Sequence, residues 1–236
     1  MLRNYLIAAL RNLARNKLYA AINIVGLAAG FTAAILIALF VRDELSYDRF
    51  WPDYKRVYMV STTIRLQDMP PWRMDAAPAG PTALWKQRMP AGVTDARLVL
   101  EQHAVRHGNV EANESIGWVD PQFFSVLRLP ALAGNLDTAL QQPDGVVLSQ
   151  RVARKYFGDS NPIDQTIELD RVHPMRVGAV VQDIPGNSHL ELDFFASGRA
   201  AFSALAAVDT AAASGNTSAL SGDFAAYVRM PADVSV

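Results

Sequence analysis

Cysteine is absent from the 236 residues, so neither a disulfide framework nor a thiolate metal site can form. No aspartate or glutamate occurs before Asp43, and no charge of either sign occurs from Leu18 to Val41. The first absence makes residues 1–42 carry +5, through Arg3, Arg11, Arg15, Lys17 and Arg42, and leaves −6 on the remainder. A nearly neutral total thus hides two environments along one chain. The second absence excludes an ordinary surface helix, which would have a charged face. G-x-x-x-x-G-K-[ST], G-x-S-x-G and H-E-x-x-H patterns are also missing, which argues against ATP hydrolysis and the commonest hydrolase chemistries. The acidic remainder has no cluster of Lys and Arg to hold a nucleic acid, so no nucleic-acid partner is expected.

What is present first is the uncharged run itself. Its 24 residues, at a helical rise of roughly 1.5 Å each, extend about 36 Å and exceed a hydrocarbon core of about 30 Å. A signal peptide has a shorter apolar region and a small-x-small cleavage site. This run instead ends in Leu39-Phe40-Val41-Arg42-Asp43, so cleavage is not expected. Basic residues before it and Asp43, Glu44 and Asp48 after it predict a cytoplasmic N-terminus, with everything after about residue 45 across the membrane.

Gly26 and Gly30 form a small-xxx-small pair within the run, a spacing that lets a second helix approach closely. Leu2, Leu6, Leu10 and Leu13 make one apolar stripe before it. Arg3, Arg11, Arg15 and Lys17 are then available for lipid headgroups, as in a helix lying flat on the inner surface; a plain topology signal is the other reading. Tyr47, Phe50, Trp51 and Tyr54 fit either an aromatic interfacial belt, with Trp51 at the membrane interface, or the start of a core. The expected divisions are an interfacial helix over 1–17, a transmembrane helix over 18–45 and an extracytoplasmic domain over 46–236.

In that domain, Arg56–Ile64 predicts a strand, the proline-rich stretch 69–81 a loop, and Thr82–Arg88 a short helix between Pro81 and Pro90. "ARLVLEQHAVRH" predicts a strand turned by Gly108-Asn109. Val146-Val147-Leu148 predicts a buried strand, and Ser149 an N-cap for a helix ended by Gly158. Val152, Ala153, Tyr156 and Phe157 form the apolar face of that helix, and Arg151, Arg154 and Lys155 the wet one. Ile163 to Leu169 alternates as a half-buried strand, and "MRVGAVVQDI" predicts another before a turn at Pro185-Gly186. Residues 203–222, rich in Ala, Ser, Thr and Gly, predict a flexible loop before a last strand in "DFAAYVRM". The class is α+β: one N-terminal transmembrane helix, then a mixed α/β domain.

Chemistry is harder to find. His103 and His107 have helical ligand spacing but fall on a predicted strand, where four residues span roughly 13 Å, too far for one ion. They read as surface histidines. His173 and His189 sit in predicted turns and suit a solvated or hydrogen-bonding role. The carboxylates suggest no acid/base pair. No catalytic, metal or cofactor residue is therefore assigned, and no enzyme activity is expected.

Two blocks carry a resemblance. One is "ALRNLARNKLYAAINIVGLAAGF" leading into "VRDELSYDRF". The other is "VDPQFFSVLRLPALAGN", then "VVLSQRVARKYFGDSNPIDQTIELD", then "VGAVVQDIPGNSHLELDF". Together they resemble the permeases of ABC transporters with a MacB-like periplasmic core domain and FtsX-like membrane helices. The order D-x-x-F-F, a loop glycine, Y-F-G, N-P-I and V-x-D-I-P is what matches, over most of residues 1–200. The resemblance implies a bacterial inner-membrane permease with a periplasmic domain of two subdomains, porter-like plus an insertion. It further implies a separate ABC ATPase subunit, pairing with a second permease copy or paralogue, and a lipid bilayer as surroundings, and it admits a periplasmic adaptor. ATP-driven change would be transmitted to the periplasmic domain for export or extraction of a substrate. Intact members have three further membrane helices, so this chain looks like a fragment or a truncated reading frame. The alternative is a single-pass, membrane-anchored periplasmic binding, adaptor or sensor module; an anchored hydrolase is a third, without a nucleophile to support it.

Overall fold

In a computed structural model, residues 5, 11, 14–67, 69–77, 89–213 and 224–232 are described. The expected helix at Thr82–Arg88, and Arg3 with the leucine stripe, lie outside these residues. The chain divides into two units, Met1–Tyr47 and Asp48–Val236.

The first unit contains helix α1, Lys17–Ser46, the one described helix long and apolar enough to cross a membrane. Its most apolar window has a mean hydropathy of 2.6, and none of that window is buried. Leu27, Phe31 and Ile35 are all more than half exposed, a surface suited to lipid rather than water. A Cβ added at Gly26 or Gly30 would meet no atom within 4 Å. Arg11, Arg15 and Lys17 are exposed.

The second unit is built on a nine-stranded mixed sheet. Its strands are β1 (Val57–Met59), β4 (Thr94–His107), β5 (Val110–Val119), β6 (Ala131–Gly134), β7 (Gly145–Ser149), β8 (Thr166–Leu169), β9 (His173–Val181), β10 (Phe194–Ser197) and β11 (Phe224–Arg229). They run in the order β1-β11-β4-β5-β10-β7-β9-β6, with β8 bridging β4 and β9. Pairs β5/β10 and β7/β9 are parallel, and the other pairs are antiparallel. The main sheet runs through this unit. The short strands β2 (Thr62–Ile64) and β3 (Trp72–Met74) pair as a separate ribbon.

Local chemistry accounts for the best-predicted elements. Gly108, at φ +55°, supplies the left-handed conformation for the two-residue turn between β4 and β5. Ser149 Oγ accepts from the Val152 N–H and starts helix α4 (Gln150–Phe157); Gly158, at φ +60°, ends it. Val152, Ala153, Tyr156 and Phe157 are buried on the sheet, worth roughly 1.5–3 kcal/mol for each large side chain. The short helices α2 (Phe123–Val126) and α3 (Leu136–Ala139) complete the packing with α5, Ala204–Ala213.

Four expectations are corrected. Arg56–Ile64 is not one strand: Val60 still donates to Ala226 O at 2.8 Å, and then the chain leaves the main sheet to form β2. The proline-rich loop contains β3. The strand expected from Ile163 starts only at Thr166, because Pro162 lacks an N–H and Asp164, at φ +65°, breaks the extended path. The expected loop over 203–222 is helical from Ala204 to Ala213. Ser203 Oγ caps that helix by accepting from Ala206 N at 3.1 Å, and alanine, read as low complexity, is the best helix former.

Among the described residues two large apolar clusters, and a small one of Ala77, Phe224 and Ala226, form the core of this unit. One large cluster gathers Val105, Trp118, Leu148, Val152, Tyr156, Phe157, Met175 and Phe194. The other gathers Trp51, Leu98, Phe123, Phe124, Leu127, Leu192, Phe195 and Tyr227.

Candidate functional site

Around the second cluster the unit has a polar clamp. Asp48, at φ +57°, donates its backbone N–H to Asn187 O at 2.9 Å. Its Oδ1 accepts from Ser188 Oγ at 2.8 Å and from the His189 N–H at 3.1 Å. Trp51 Nε1 reaches the same oxygen at 3.4 Å. Oδ2 lies 2.7 Å from His189 Nδ1. On the far side of the ring, His189 Nε2 is 2.9 Å from the Tyr227 hydroxyl on β11. The clamp thus joins the first residue of the unit, the loop after β9 and a strand of the sheet.

Electrostatics follow from this geometry. Burial alone would raise the Asp48 pKa, but hydrogen bonds from Ser188 and His189 and the His189 charge outweigh it and hold the carboxyl below its usual range. Burial, and then the Asp48 charge, push the Tyr227 hydroxyl above its ordinary value. The arrangement positions segments rather than activating a nucleophile. Ser188 Oγ donates to the carboxylate instead of the imidazole, and Ser188 is only 2% exposed.

Two hollows border the clamp. One, of 290 Å³, is lined by Trp51, Tyr54, Val57, Met59 and Leu127 together with Asp48, His189 and Tyr227. The other, of 650 Å³, shares Met59, His189 and Tyr227 with it, and its remaining lining includes Trp72, Leu98, Leu100 and Leu190 as well as the charged Arg73 and Asp75.

The motif carboxylates have structural partners. Arg97 on β4 donates from Nε and Nη2 to the two oxygens of Asp120, both at 2.9 Å, and also to Asp209 on α5. Asp183 Oδ1 accepts from Arg151 N at 2.8 Å, a second cap at the start of α4. Phe123 and Phe124 of the D-P-Q-F-F segment pack with Phe195, centroids 5.7 and 5.2 Å away.

The sequence-predicted residues are distributed as follows. Trp51 is 4% exposed and packed in the core, its indole covered by neighbouring apolar groups. His103 and His107 each take their own partner, His103 Nδ1 at 2.7 Å from Asp170 and His107 Nδ1 at 2.9 Å from Thr166 O. The His103 side chain is 16% exposed, half-buried against Trp118 rather than on the surface. His173 stacks on Phe202 at 3.6 Å. Among the described residues no group of three or more metal-ligating side chains is arranged to hold an ion. Asp48, Ser188 and Tyr227 were missed as a site. For Asp48 and Ser188 the signal lay in two polar motifs, S-Y-D-R-F and G-N-S-H; Tyr227, inside the strand motif D-F-A-A-Y-V-R-M, carried none.

The decisive comparison is with protein families. The model of the MacB-like periplasmic core domain matches residues 20–235, starting inside α1 and running through the sheet unit. The chain belongs to this family. Among curated proteins no relative matches its sequence. Of solved structures, a domain assigned to a permease protein of Porphyromonas gingivalis is similar at a TM-score of 0.60 and 18% identity, covering 78% of this chain and 79% of that one. It shares the fold. The periplasmic region of MacB from Actinobacillus actinomycetemcomitans matches at a TM-score of 0.46 and 18% identity, over 64% of each chain. The extracellular domain of the ABC-type transporter YknZ from Gram-positive bacteria matches at 0.40 and 15%, over 61% of this chain and 68% of that one. With the match beginning inside α1, the chain is a member of the MacB-like permease family whose described residues include one helix long and apolar enough to cross a membrane.

Proposed function

We propose that this chain is the permease component of an ABC transporter. Helix α1 crosses the bacterial inner membrane with the N-terminus in the cytoplasm, and residues after about 45 stand in the periplasm. A separate ATPase binds on the cytoplasmic side, and a second permease copy packs against Gly26 and Gly30. The role is to pass ATP-driven movement to the periplasmic domain for export or extraction of a substrate. The single observation that carries this reading is the family match across residues 20–235, which joins apolar helix and sheet unit in one model.

The clamp supports transmission. Asp48 is the second residue after Ser46, where α1 ends, and hydrogen bonds of 2.7–2.9 Å bind it to Asn187, Ser188 and His189. Co-expression of the protein with an ABC ATPase, followed by affinity purification and ATP turnover in nanodiscs, tests the reading. Co-elution and turnover are expected.

The second reading, a membrane-anchored binding, adaptor or sensor module, is favoured by the paired hollows beside the clamp. An ATPase that never co-elutes would select it.

A further inference from the structure

Three guanidinium groups converge on one carboxylate oxygen. Asp53 Oδ2 lies 3.3 Å from Arg229 Nη1, 3.6 Å from Arg128 Nη1 and 4.0 Å from Arg56 Nη1. The three arginines come from distant parts of the chain: the turn before β1, the segment after α2, and the end of β11.

Main-chain carbonyls hold two of them. Arg229 donates from Nε to Val126 O at 2.9 Å and from Nη2 to Val126 O at 2.6 Å and Pro52 O at 3.1 Å. Its side chain is 6% exposed. Arg56 Nε donates to Met230 O at 2.9 Å. Carbonyls fix position but neutralise nothing, so one carboxylate faces three cations. The surplus is +2, and like charges at this range repel. Burial first, then Arg128, lowers the Arg229 pKa from its ordinary value. Arg128, with a side chain 56% exposed, touches the cluster only through the 3.6 Å contact, beyond hydrogen-bond length. Its fork is open to an external partner, and so is the outer edge of Arg56, 35% exposed.

We infer that Arg56, Arg128 and Arg229 form a binding site for a phosphate-bearing anion, with Asp53 as the internal anion that competes for it. Guanidinium forks bind phosphate oxygens in pairs, and a surplus of two charges matches one phosphate dianion. The phosphate can belong to a soluble anion or to a lipid headgroup. The second source rests on the membrane placement proposed above: only six residues separate Asp53 from Ser46 at the end of α1.

The test is titration of the full chain in maltoside detergent with inorganic phosphate at constant ionic strength, read by calorimetry and by thermal unfolding. Saturable binding is expected. Arg128→Gln should weaken it on the order of tenfold. Asp53→Asn should tighten it by about threefold or more as the competing charge is removed; asparagine also tolerates the φ of +57° at that position. Arg106→Gln removes an equal charge beside Glu168 and should change nothing. Absence of saturable binding, or equal losses in the Arg106 and Arg128 variants, overturns the site. Repeating the titration in phosphatidylglycerol nanodiscs separates the sources. Phosphate excluded there identifies the headgroup, and phosphate bound equally in detergent and discs identifies a soluble anion; either supports the site. Phosphate binding does not involve the ATPase, so loss of one result leaves the other intact.

Discussion

His189 Nδ1 lies 2.7 Å from Asp48 Oδ2, a residue 141 positions earlier in the sequence. This contact closes the sheet unit on itself. The ring then passes the connection to Tyr227 at 2.9 Å. Hydrogen bonds to a charged group are worth roughly 1.5–3 kcal/mol. Asp48→Ala should therefore destabilise the protein by about 2–3 kcal/mol, measured by urea unfolding in detergent, whereas Ser188→Ala, which removes one donor, should cost about 1 kcal/mol. Equal stability of Asp48→Ala and the parent would remove the clamp from the account.

The same carboxylate sets a pH dependence. Its folded pKa lies below the ordinary 3.8. The unfolded chain therefore holds the proton more tightly, and the stabilisation is fully present above about pH 4 and lost as pH falls through the folded value. The stability gap between the parent and Asp48→Asn should close as pH falls below about pH 4. A gap that stays open in acid would contradict the sign.

Arg97 and Asp120 form a bidentate pair in which both side chains are about one-tenth exposed. Arg97→Leu leaves a buried carboxylate unpaired and should cost about 3–5 kcal/mol. Asp209, 57% exposed, contributes to the same arginine from water, so Asp209→Asn should cost less than about 1 kcal/mol. Thermal unfolding of the two variants side by side checks the ranking.

Gly134 has φ +75°, and a Cβ there would lie 2.2 Å from the Gly178 carbonyl oxygen. Both conformation and space therefore demand glycine. Gly134→Ala should destabilise by about 2–4 kcal/mol through separation of β6 from β9. Hydrogen exchange would localise the loss to β6; uniform exchange across the sheet would point elsewhere.

For the membrane segment, a reporter fused after Asp75 should be active if it functions in the periplasm and silent if it needs the cytoplasm. The reverse pattern would invert the topology. Gly26→Leu with Gly30→Leu should weaken self-association of the span in a membrane assay; unchanged association would remove that face as an interface.

Locally encoded features were legible in the sequence. The 24-residue uncharged run appears as the apolar helix α1, and β7–Ser149–α4–Gly158 appears with its cap, face and stop in place. Each depends on neighbours within a few turns of chain. The misread stretches depend on competition between local signals. The alanines of α5 are helical because Ser203 caps them and Leu205 is buried, and Asp164 turns where alternation alone would have continued a strand.

The sequence by itself determined a charge-free membrane-length run, the asymmetry of charge around it and the order of motifs that marks the family. The tertiary structure alone decided which polar residues meet. Asp48 with His189, Arg97 with Asp209, and three arginines around Asp53 are separated by 141, 112 and up to 176 residues. No periodicity encodes such distances, because they arise from the path of β11 and the loop after β9 through the sheet. That path also buried Trp51, whose position three residues beyond Asp48 suited a membrane surface equally well.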